Sequence, residues 1–287
     1  MESLKETLSR QADSITTNLP RNIDDTYIGD DGLVYCSKCH TLRETEDIIQ
    51  VFGRRMPVRC QCMREASEKN EKLEEYRKKM LRLDRLRSAS LLGERYKDKR
   101  FDNTEAVSDE FAKAMSRCKR YCEISDTAIE KGYGIYIYGK SGTGKTHLTA
   151  CMCNELISQY KQCLFTNFFE ISKLIKATFG SRNPEAENII KRICEIDFLF
   201  LDDLGTESLK KNGEDNWLQE QVYDIINKRY NNIKPTIFTS NYSLNELVAE
   251  RGMMDKTVDR IMEMSTAIIK LSGESYRVRN RRKENPF

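Results

Sequence analysis

The stretch Ile135-Tyr136-Ile137-Tyr138-Gly139-Lys140-Ser141-Gly142-Thr143-Gly144-Lys145-Thr146 joins an apolar segment to a glycine-rich loop. The apolar part predicts a buried strand, and the residues from Lys145 onward predict a helix. In a loop of this kind the backbone N–H groups converge on phosphate oxygens, and the helix N-terminus adds partial positive charge. Lys145 then reaches the β- and γ-phosphates and the Thr146 hydroxyl ligates Mg²⁺. The stretch therefore predicts an ATP site that uses every residue from Gly139 to Thr146.

Polar residues end two further apolar segments. Asp202 and Asp203 follow the run Phe198-Leu199-Phe200-Leu201, and Asn241 follows the run Thr236–Ser240. Ligands of open α/β sheets bind at the carboxyl ends of the strands, so these side chains are expected beside the loop. Asp202 is predicted to hold Mg²⁺, Asp203 to orient or activate the attacking water, and Asn241 to polarise that water. The alternatives are a solvated acidic turn and an ordinary Ser-Asn turn.

Apolar strands and helices alternate around these segments. Continuous apolar strands between helices are typical of a parallel sheet covered on both faces, so the fold class is α/β with a central parallel sheet. The predicted strands are Ile135–Tyr138, Cys163–Thr166, Phe198–Leu201 and Thr236–Thr239, and the predicted helices are Asp109–Glu130, Glu170–Phe179, Trp217–Tyr230 and one from Lys145 onward.

A compact cysteine module precedes this region. Cys36 and Cys39 form the usual two-residue-spaced pair, whereas Cys60 and Cys62 are separated by one residue. Two short chelating pairs joined by a turn can supply four tetrahedral thiolates, so the module is predicted to bind Zn²⁺. His40 is an alternative ligand, and four free structural thiols are the alternative to a metal site. A metal would stabilise a segment that is too small for a core of its own.

Residues 63–92 contain neither Gly nor Pro and are rich in helix formers. Leu73, Tyr76, Met80 and Leu83 form one apolar stripe along the predicted helix. Residues 63–100 hold 13 Lys and Arg against 8 Asp and Glu, a local charge of +5. The segment is predicted to be a charged linker helix that packs one edge on a neighbour, with contact to nucleic acid or a partner as the alternative.

Composition limits the classes of function. The net charge of +3 over 287 residues does not mark a general binder of polyanions. No apolar run approaches the roughly 18 to 20 residues of a membrane helix, and the first residues lack the apolar core of a signal peptide. A cytoplasmic protein without membrane contact is therefore expected, in which the ten cysteines stay reduced.

Together these motifs resemble the DnaC/DnaI family of bacterial and phage replicative-helicase loaders, which are AAA+ ATPases. The resemblance covers about residues 100–280, and the IstB transposition ATPases share most of its signatures. It is carried by Gly142-Thr143-Gly144-Lys145-Thr146-His147-Leu148, Leu201-Asp202-Asp203-Leu204-Gly205, Ile225-Ile226-Asn227-Lys228-Arg229-Tyr230, Thr239-Ser240-Asn241 and Gly273-Glu274-Ser275-Tyr276-Arg277.

The resemblance implies an ATPase that hydrolyses ATP slowly, as a switch, and that forms homo-oligomers through composite ATP sites. A hexameric spiral is the candidate form of the oligomer. Arg260 matches the arginine finger that acts on the neighbouring subunit, and Arg277 matches the cis-acting arginine. An ordinary surface salt bridge is the alternative for each, and Arg229 and Arg251 are rival candidates for the finger. The implied partners are a hexameric replicative helicase, held by the zinc domain, and single-stranded DNA. The family binds DNA with the helical segment between the glycine loop and the acid pair, and the predicted contacts in this segment are Lys173, Lys176 and Arg182. The same segment also holds Lys191 and Arg192, with Phe168 or Phe179 for stacking. A solvated basic helix face is the alternative for any one of these residues, and the basic tail 277–283 is a second candidate.

The predicted organisation has four parts: a polar segment (1–30), a zinc-binding helicase-interaction domain (31–65), a charged helical linker (66–100) and an AAA+ domain (101–287). Three other functions stay open at this point. They are an IstB-like ATPase that partners a transposase, a small-molecule kinase with the same loop, and a nearly inactive ATP-binding adaptor.

Overall fold

The computed structural model describes residues 25–48, 53–167, 169–171, 173, 176, 184–205 and 213–273. Two units separate between Met80 and Leu81. Most of the predicted polar N-terminal segment and part of the helix predicted over Glu170–Phe179 lie outside the described residues. No helix in the described part of the chain is both long enough and apolar enough to cross a membrane.

The smaller unit contains a β-hairpin and the start of a long helix. Strands β1 (Thr26–Ile28) and β2 (Val34–Cys36) pair antiparallel, and helix α1 spans Gln61–Ala89. Among the described residues of this unit only Cys36 and Cys60 are buried. The described residues of this unit form no apolar core, so they need another source of stability, and the two buried side chains among them are both thiols.

Helix α1 departs from the predicted packing. It contains no buried residue, and Leu73 and Tyr76 of the predicted stripe are 46% and 60% exposed. Further along the helix, Leu83 and Leu86 pack against the core of the larger unit. The C-terminal part of the predicted linker helix therefore belongs structurally to the larger unit, which begins at Leu81.

The larger unit is an α/β domain built on a five-stranded parallel sheet in the order β4-β5-β6-β3-β7. Its strands are β3 (Gly134–Gly139), β4 (Cys163–Asn167), β5 (Phe198–Leu204), β6 (Thr236–Ser240) and β7 (Ser265–Leu271). Its helices are α2 (Asp109–Glu123), α3 (Ser125–Lys131), α4 (Lys145–Ser158), α5 (Pro184–Glu195), α6 (Gly213–Asn231), α7 (Leu244–Ala249) and α8 (Asp255–Met264).

The sheet separates two hydrophobic clusters. Ile135 and Ile137 of β3 belong to the cluster that contains α2 and α4, whereas Tyr136 belongs to the cluster that contains α6 and α8. Successive strand residues point to opposite faces, so a strand buried on both faces reads as a continuous apolar run. The predicted fold class is therefore confirmed, and all four predicted strands are present.

Two features of the domain differ from the sequence prediction. The helix predicted over Asp109–Glu130 is two helices, because Ile124 leaves the helical conformation and the buried Ser125 donates its hydroxyl to Gln159 at 2.8 Å. Strand β7 was not predicted. Its exposed residues alternate with half-buried and buried ones, as at a sheet edge, so the strand lacks the continuous apolar run of the central strands.

Candidate functional site

The glycine-rich loop connects the end of β3 to the start of α4, as the sequence predicts. Gly139 has φ +151°, and a Cβ there would lie 1.9 Å from the carbonyl oxygen of Leu271 on β7. Gly144 has φ +95°, and a Cβ there would lie 2.8 Å from the ring of Phe111. Close packing of the loop against β7 and α2 therefore requires glycine at both positions.

Lys145 is buried at the first position of α4, with 5% of its surface exposed. Its ammonium donates to the Gly139 and Lys140 carbonyl oxygens at 2.9 and 3.1 Å. It also donates to the Asn241 side-chain oxygen at 2.8 Å, across 96 residues of sequence. The structure thus brings the predicted lysine of the loop and the predicted polar end of β6 into direct contact.

Asp202 lies beside Thr146 at the carboxyl end of β5. The Thr146 hydroxyl donates to the two carboxylate oxygens at 3.2 and 2.9 Å, and the Thr239 hydroxyl donates to one of them. Burial raises the pKa of Asp202, an effect that the Thr239 hydrogen bond opposes. A hydroxyl and a carboxylate are the hard oxygen ligands that Mg²⁺ takes while it keeps several waters, so the predicted pair fits that ion.

Asp203 has a different environment from its neighbour. Its side chain is exposed, its φ is +55°, and its N–H donates to the Thr239 hydroxyl at 2.9 Å. The pairing of β5 with β6 shifts register between Leu201 and Leu204, on either side of the acid pair. A non-glycine residue held in the left-handed region is strained, and such strain is concentrated at functional sites.

A cavity of about 410 Å³ opens beside the loop. This volume falls in the range of small-molecule sites. Its wall includes His147, whose Nε2 lies 2.9 Å from the Thr104 hydroxyl and whose pKa is lowered by burial. No sequence motif marks the segment 99–111, which supplies much of the lining. The lining residues are Lys99, Asn103, Thr104, Glu105, Val107, Ser108, Phe111, Thr143, Gly144, His147, Ser272 and Gly273.

The structure tests whether Arg229 and Arg251, the rival candidates for the arginine finger, are accessible to a neighbouring subunit. Arg229 is fully buried and donates to three carbonyl oxygens and the Thr236 hydroxyl, so it cannot reach a neighbouring subunit. Its burial lowers its pKa to about 9. Arg251 donates to the Gly205 carbonyl oxygen at 2.6 Å and lies over the Tyr242 ring. Arg229 therefore has a structural role.

Arg260 projects from α8, where its guanidinium pairs with Glu263 and lies 4.5 Å from the centre of the Tyr230 ring. The hydrogen bond to Glu263 raises the pKa of Arg260. Its side chain is 32% exposed, which makes it reachable from outside the domain. Arg277 lies outside the described residues, so the structure does not place the second predicted arginine.

The predicted DNA contacts are only partly described. Lys173 pairs with Glu170 at 3.1 Å and lies over the Phe169 ring at 4.0 Å, and Lys176 is exposed. Arg182 and the basic tail 277–283 lie outside the described residues. The described contacts place Lys173 on a solvent-accessible, partly aromatic surface.

The four cysteines of the module converge at the junction of β2 and α1. All four sulfur atoms of Cys36, Cys39, Cys60 and Cys62 lie within 4.8 Å of one another. The Cys62 sulfur lies 3.6 Å from that of Cys36 and 3.3 Å from that of Cys60. The one-residue spacing is accommodated because Cys60 precedes α1 and Cys62 lies in its first turn.

These distances fit a tetrahedral metal. Zinc–sulfur bonds of about 2.3 Å place tetrahedral sulfurs about 3.8 Å apart. A guanidinium nitrogen of Arg43 lies 3.7 Å from the Cys60 sulfur, and the Thr41 hydroxyl lies 3.1 Å from that of Cys39. The Thr41 contact lowers the pKa of Cys39 to about 5, whereas the hydrogen bonds of the neighbouring thiols raise the pKa of Cys62 to about 12. His40 instead has its Nδ1 3.2 Å from the Tyr27 hydroxyl, so the geometry favours the four thiols as ligands.

Comparison with known proteins identifies the family to which the larger unit is similar. A family model described as IstB-like ATP binding protein matches residues 98–284. The replicative helicase loader DnaC of Escherichia coli K12 is 26% identical over 185 residues, which are 64% of this chain and 71% of that protein. The replicative helicase loader DnaI of Bacillus subtilis 168 is 30% identical over 159 residues, 51% of this chain and 48% of that protein. A crystal structure of the DnaC helicase loader superposes with a TM-score of 0.54 at 25% identity, covering 63% of this chain and all of that one.

Proposed function

The chain belongs to the IstB-like ATP-binding protein family, and from this premise we propose that it loads a replicative DNA helicase onto single-stranded DNA under the control of ATP. The observation that carries the proposal is the joined site at the sheet edge, where Lys145 contacts Asn241 and Thr146 contacts Asp202. This arrangement lies within residues 98–284, which the family model matches, and the chain is similar to the DnaC loader over 71% of that protein's length. The protein acts in the bacterial cytoplasm.

The residues of the site have different roles in ATP hydrolysis. The loop amides and Lys145 bind the phosphates, and Thr146 and Asp202 would hold Mg²⁺, which neutralises phosphate charge. Asn241 and the exposed Asp203 orient the attacking water. Burial raises the pKa of Asp202, and its hydroxyl partners keep the carboxylate hydrogen-bonded. The shorter aspartate at position 203 suits a slow hydrolysis that acts as a switch.

The small cysteine unit is the proposed helicase-docking domain. It is a separate unit in the structure, and it lies before the segment that the family model matches. A zinc ion held by Cys36, Cys39, Cys60 and Cys62 would stabilise this unit, whose described residues form no apolar core. Docking and nucleotide binding are thereby assigned to different parts of the chain.

The oligomer is proposed to form through composite ATP sites. Arg260 reaches the γ-phosphate of the neighbouring subunit after it leaves Glu263. Single-stranded DNA binds along Lys173, Lys176 and Arg182, where Phe169 beside Lys173 offers a stacking surface. Arg260 would exchange the Glu263 carboxylate for a phosphate oxygen, and Lys173 would exchange the Glu170 carboxylate for one.

Replacing Arg260 by alanine should leave the ATP affinity within about twofold and lower the rate of ATP hydrolysis by roughly 10- to 100-fold. This loss is smaller than the rate contribution of an arginine finger in enzymes with rapid turnover. Phosphate release at saturating ATP measures the effect. Mixing Arg260→Ala with Lys145→Ala protein should restore part of the activity, since some interfaces then combine an intact loop with an intact arginine. Arg117→Ala, which removes an exposed arginine of α2, is the control. Unchanged turnover of Arg260→Ala would remove the assignment.

The function itself is tested by co-purification with the cognate hexameric replicative helicase, with and without ATP. We expect a stable complex and an ATP-dependent transfer of the helicase to circular single-stranded DNA, measured as strand unwinding. Capture of a transposase in place of the helicase would support the IstB-like transposition role instead. Absence of helicase binding in both nucleotide states would contradict the proposal.

A further inference from the structure

Thr239 lies in the middle of the candidate site, although no predicted role attaches to it. It is the fourth residue of β6, and 1% of its surface is exposed. Its hydroxyl donates to one carboxylate oxygen of Asp202 and accepts the N–H of Asp203 at 2.9 Å. One side chain therefore contacts both members of the acid pair, across 37 and 36 residues of sequence.

The hydrogen-bonding capacity of a hydroxyl makes these contacts directional. A threonine hydroxyl has one proton to donate, and here the proton faces the Asp202 carboxylate while a lone pair faces the Asp203 amide. The Thr146 hydroxyl also donates to Asp202, but Thr146 is itself the predicted metal ligand. Among the described residues, the Thr239 hydroxyl is therefore the side-chain donor that still holds the Asp202 carboxylate when Thr146 binds a metal.

The position of Thr239 is rigid. Strand β6 lies between β5 and β3, and it is hydrogen-bonded to both. A β-branched side chain in a buried strand has few rotamers available. Asp203, by contrast, is held at φ +55° next to the register shift between β5 and β6. The contact with Thr239 supports this strained backbone from the neighbouring strand.

We propose that Thr239 is a positioning residue whose hydroxyl sets the orientation of the Asp202 carboxylate and the backbone of Asp203, and thereby the affinity of the site for Mg²⁺ in the presence of nucleotide. The inference rests on the proposed ATP site. It assigns to Thr239 no contact with substrate or metal. Its effect is transmitted through the two acids.

The test compares Thr239→Val, which removes the hydroxyl at nearly constant volume, with Thr239→Ser, which keeps it. Binding of a fluorescent ATP analogue is titrated in EDTA and over a range of Mg²⁺ concentrations. Because the Thr239 hydroxyl donates to a charged carboxylate, and such hydrogen bonds are stronger than neutral ones, the valine variant should need at least about tenfold more Mg²⁺ for half-maximal effect. Its affinity in EDTA should change by less than about twofold, and the serine variant should lie within about threefold of the unmodified protein.

Thr257→Val is the matched control. Thr257 is buried on α8, and its hydroxyl is without a hydrogen-bond partner in the described part of the chain. Removing that hydroxyl should leave the Mg²⁺ dependence unchanged. If Thr239→Val does not fold, Thr239→Cys keeps the volume with a weaker donor and should show a smaller shift in the same direction.

Three results would overturn the inference. They are a normal Mg²⁺ dependence in Thr239→Val, an equal defect in Thr239→Ser, and nucleotide binding by the unmodified protein that ignores Mg²⁺. An unmodified protein that binds nucleotide with Mg²⁺ but loads no helicase would remove the proposed function and leave the role of Thr239 standing. The two failures are therefore distinguishable.

Discussion

Replacing Lys145 by alanine should weaken ATP binding by about a hundredfold to ten-thousandfold, because hydrogen bonds to charged groups contribute roughly 1.5–3 kcal/mol each and the ammonium serves two phosphates. The ammonium is buried and already aimed at the loop by the Gly139 and Lys140 carbonyls. Its contact with Asn241 also ties the loop to β6. Titration with a fluorescent ATP analogue measures the loss.

The Lys145→Ala variant also tests whether ATP binding and helicase binding belong to different units. Helicase binding should persist in Lys145→Ala, since the proposed docking domain lies in the other unit. Lys113→Ala, at an exposed position of α2, controls for the loss of one positive charge and should bind ATP normally. Loss of ATP and helicase binding together would argue against separate roles, provided that circular dichroism shows a folded protein.

The convergence of the loop, Asp202 and Asn241 was predictable because it follows from topology. Each motif ends a strand, and parallel strands present their carboxyl ends at one edge of a sheet. The sequence therefore predicts their proximity without any long-range information. The 2.8 Å contact between Lys145 and Asn241 is the result of that rule.

Contacts that depend on packing were not predictable in the same way. Thr239 belongs to an apolar run, and only the neighbouring strand shows that its hydroxyl serves Asp202 and Asp203. Phe111 lies 28 residues before Gly139, the first residue of the loop, and nothing in its spacing indicates that it lies against Gly144. Side-chain partners of this kind are set by tertiary packing, which periodicity does not encode.

Arg229 shows that the burial of a charged residue is also not predictable from the sequence. Arginine is almost never fully buried unless it is paired, so Arg229 looks from the sequence like a surface residue. In the structure its guanidinium is satisfied by the carbonyl oxygens of Ile193, Ile196 and Pro235 and by the Thr236 hydroxyl. Removing it would leave buried acceptors unpaired, at a cost of roughly 1–3 kcal/mol each. Its place in the family-like motif reflects packing.

Replacing Cys60 by serine should abolish zinc binding and unfold the small unit. Structural zinc sites contribute about 10–16 kcal/mol of apparent binding free energy, which becomes folding free energy in a segment whose described residues form no apolar core. Cys60 and Cys36 are the buried members of the cluster and the buried residues of the described small unit. Zinc content, measured by mass spectrometry of metals, should fall from about one ion per chain to none.

Cys194→Ser is the control, because Cys194 is a buried thiol of the ATP-binding unit and lies outside the four-cysteine cluster. It should keep the zinc. The Cys60→Ser protein should still bind ATP, since the sheet and loop form in the other unit, but it should no longer bind the helicase. A protein that retains zinc after the change would indicate a different ligand set. One that loses zinc yet still binds the helicase would separate the metal from docking, and would leave the cysteine cluster with a structural role alone.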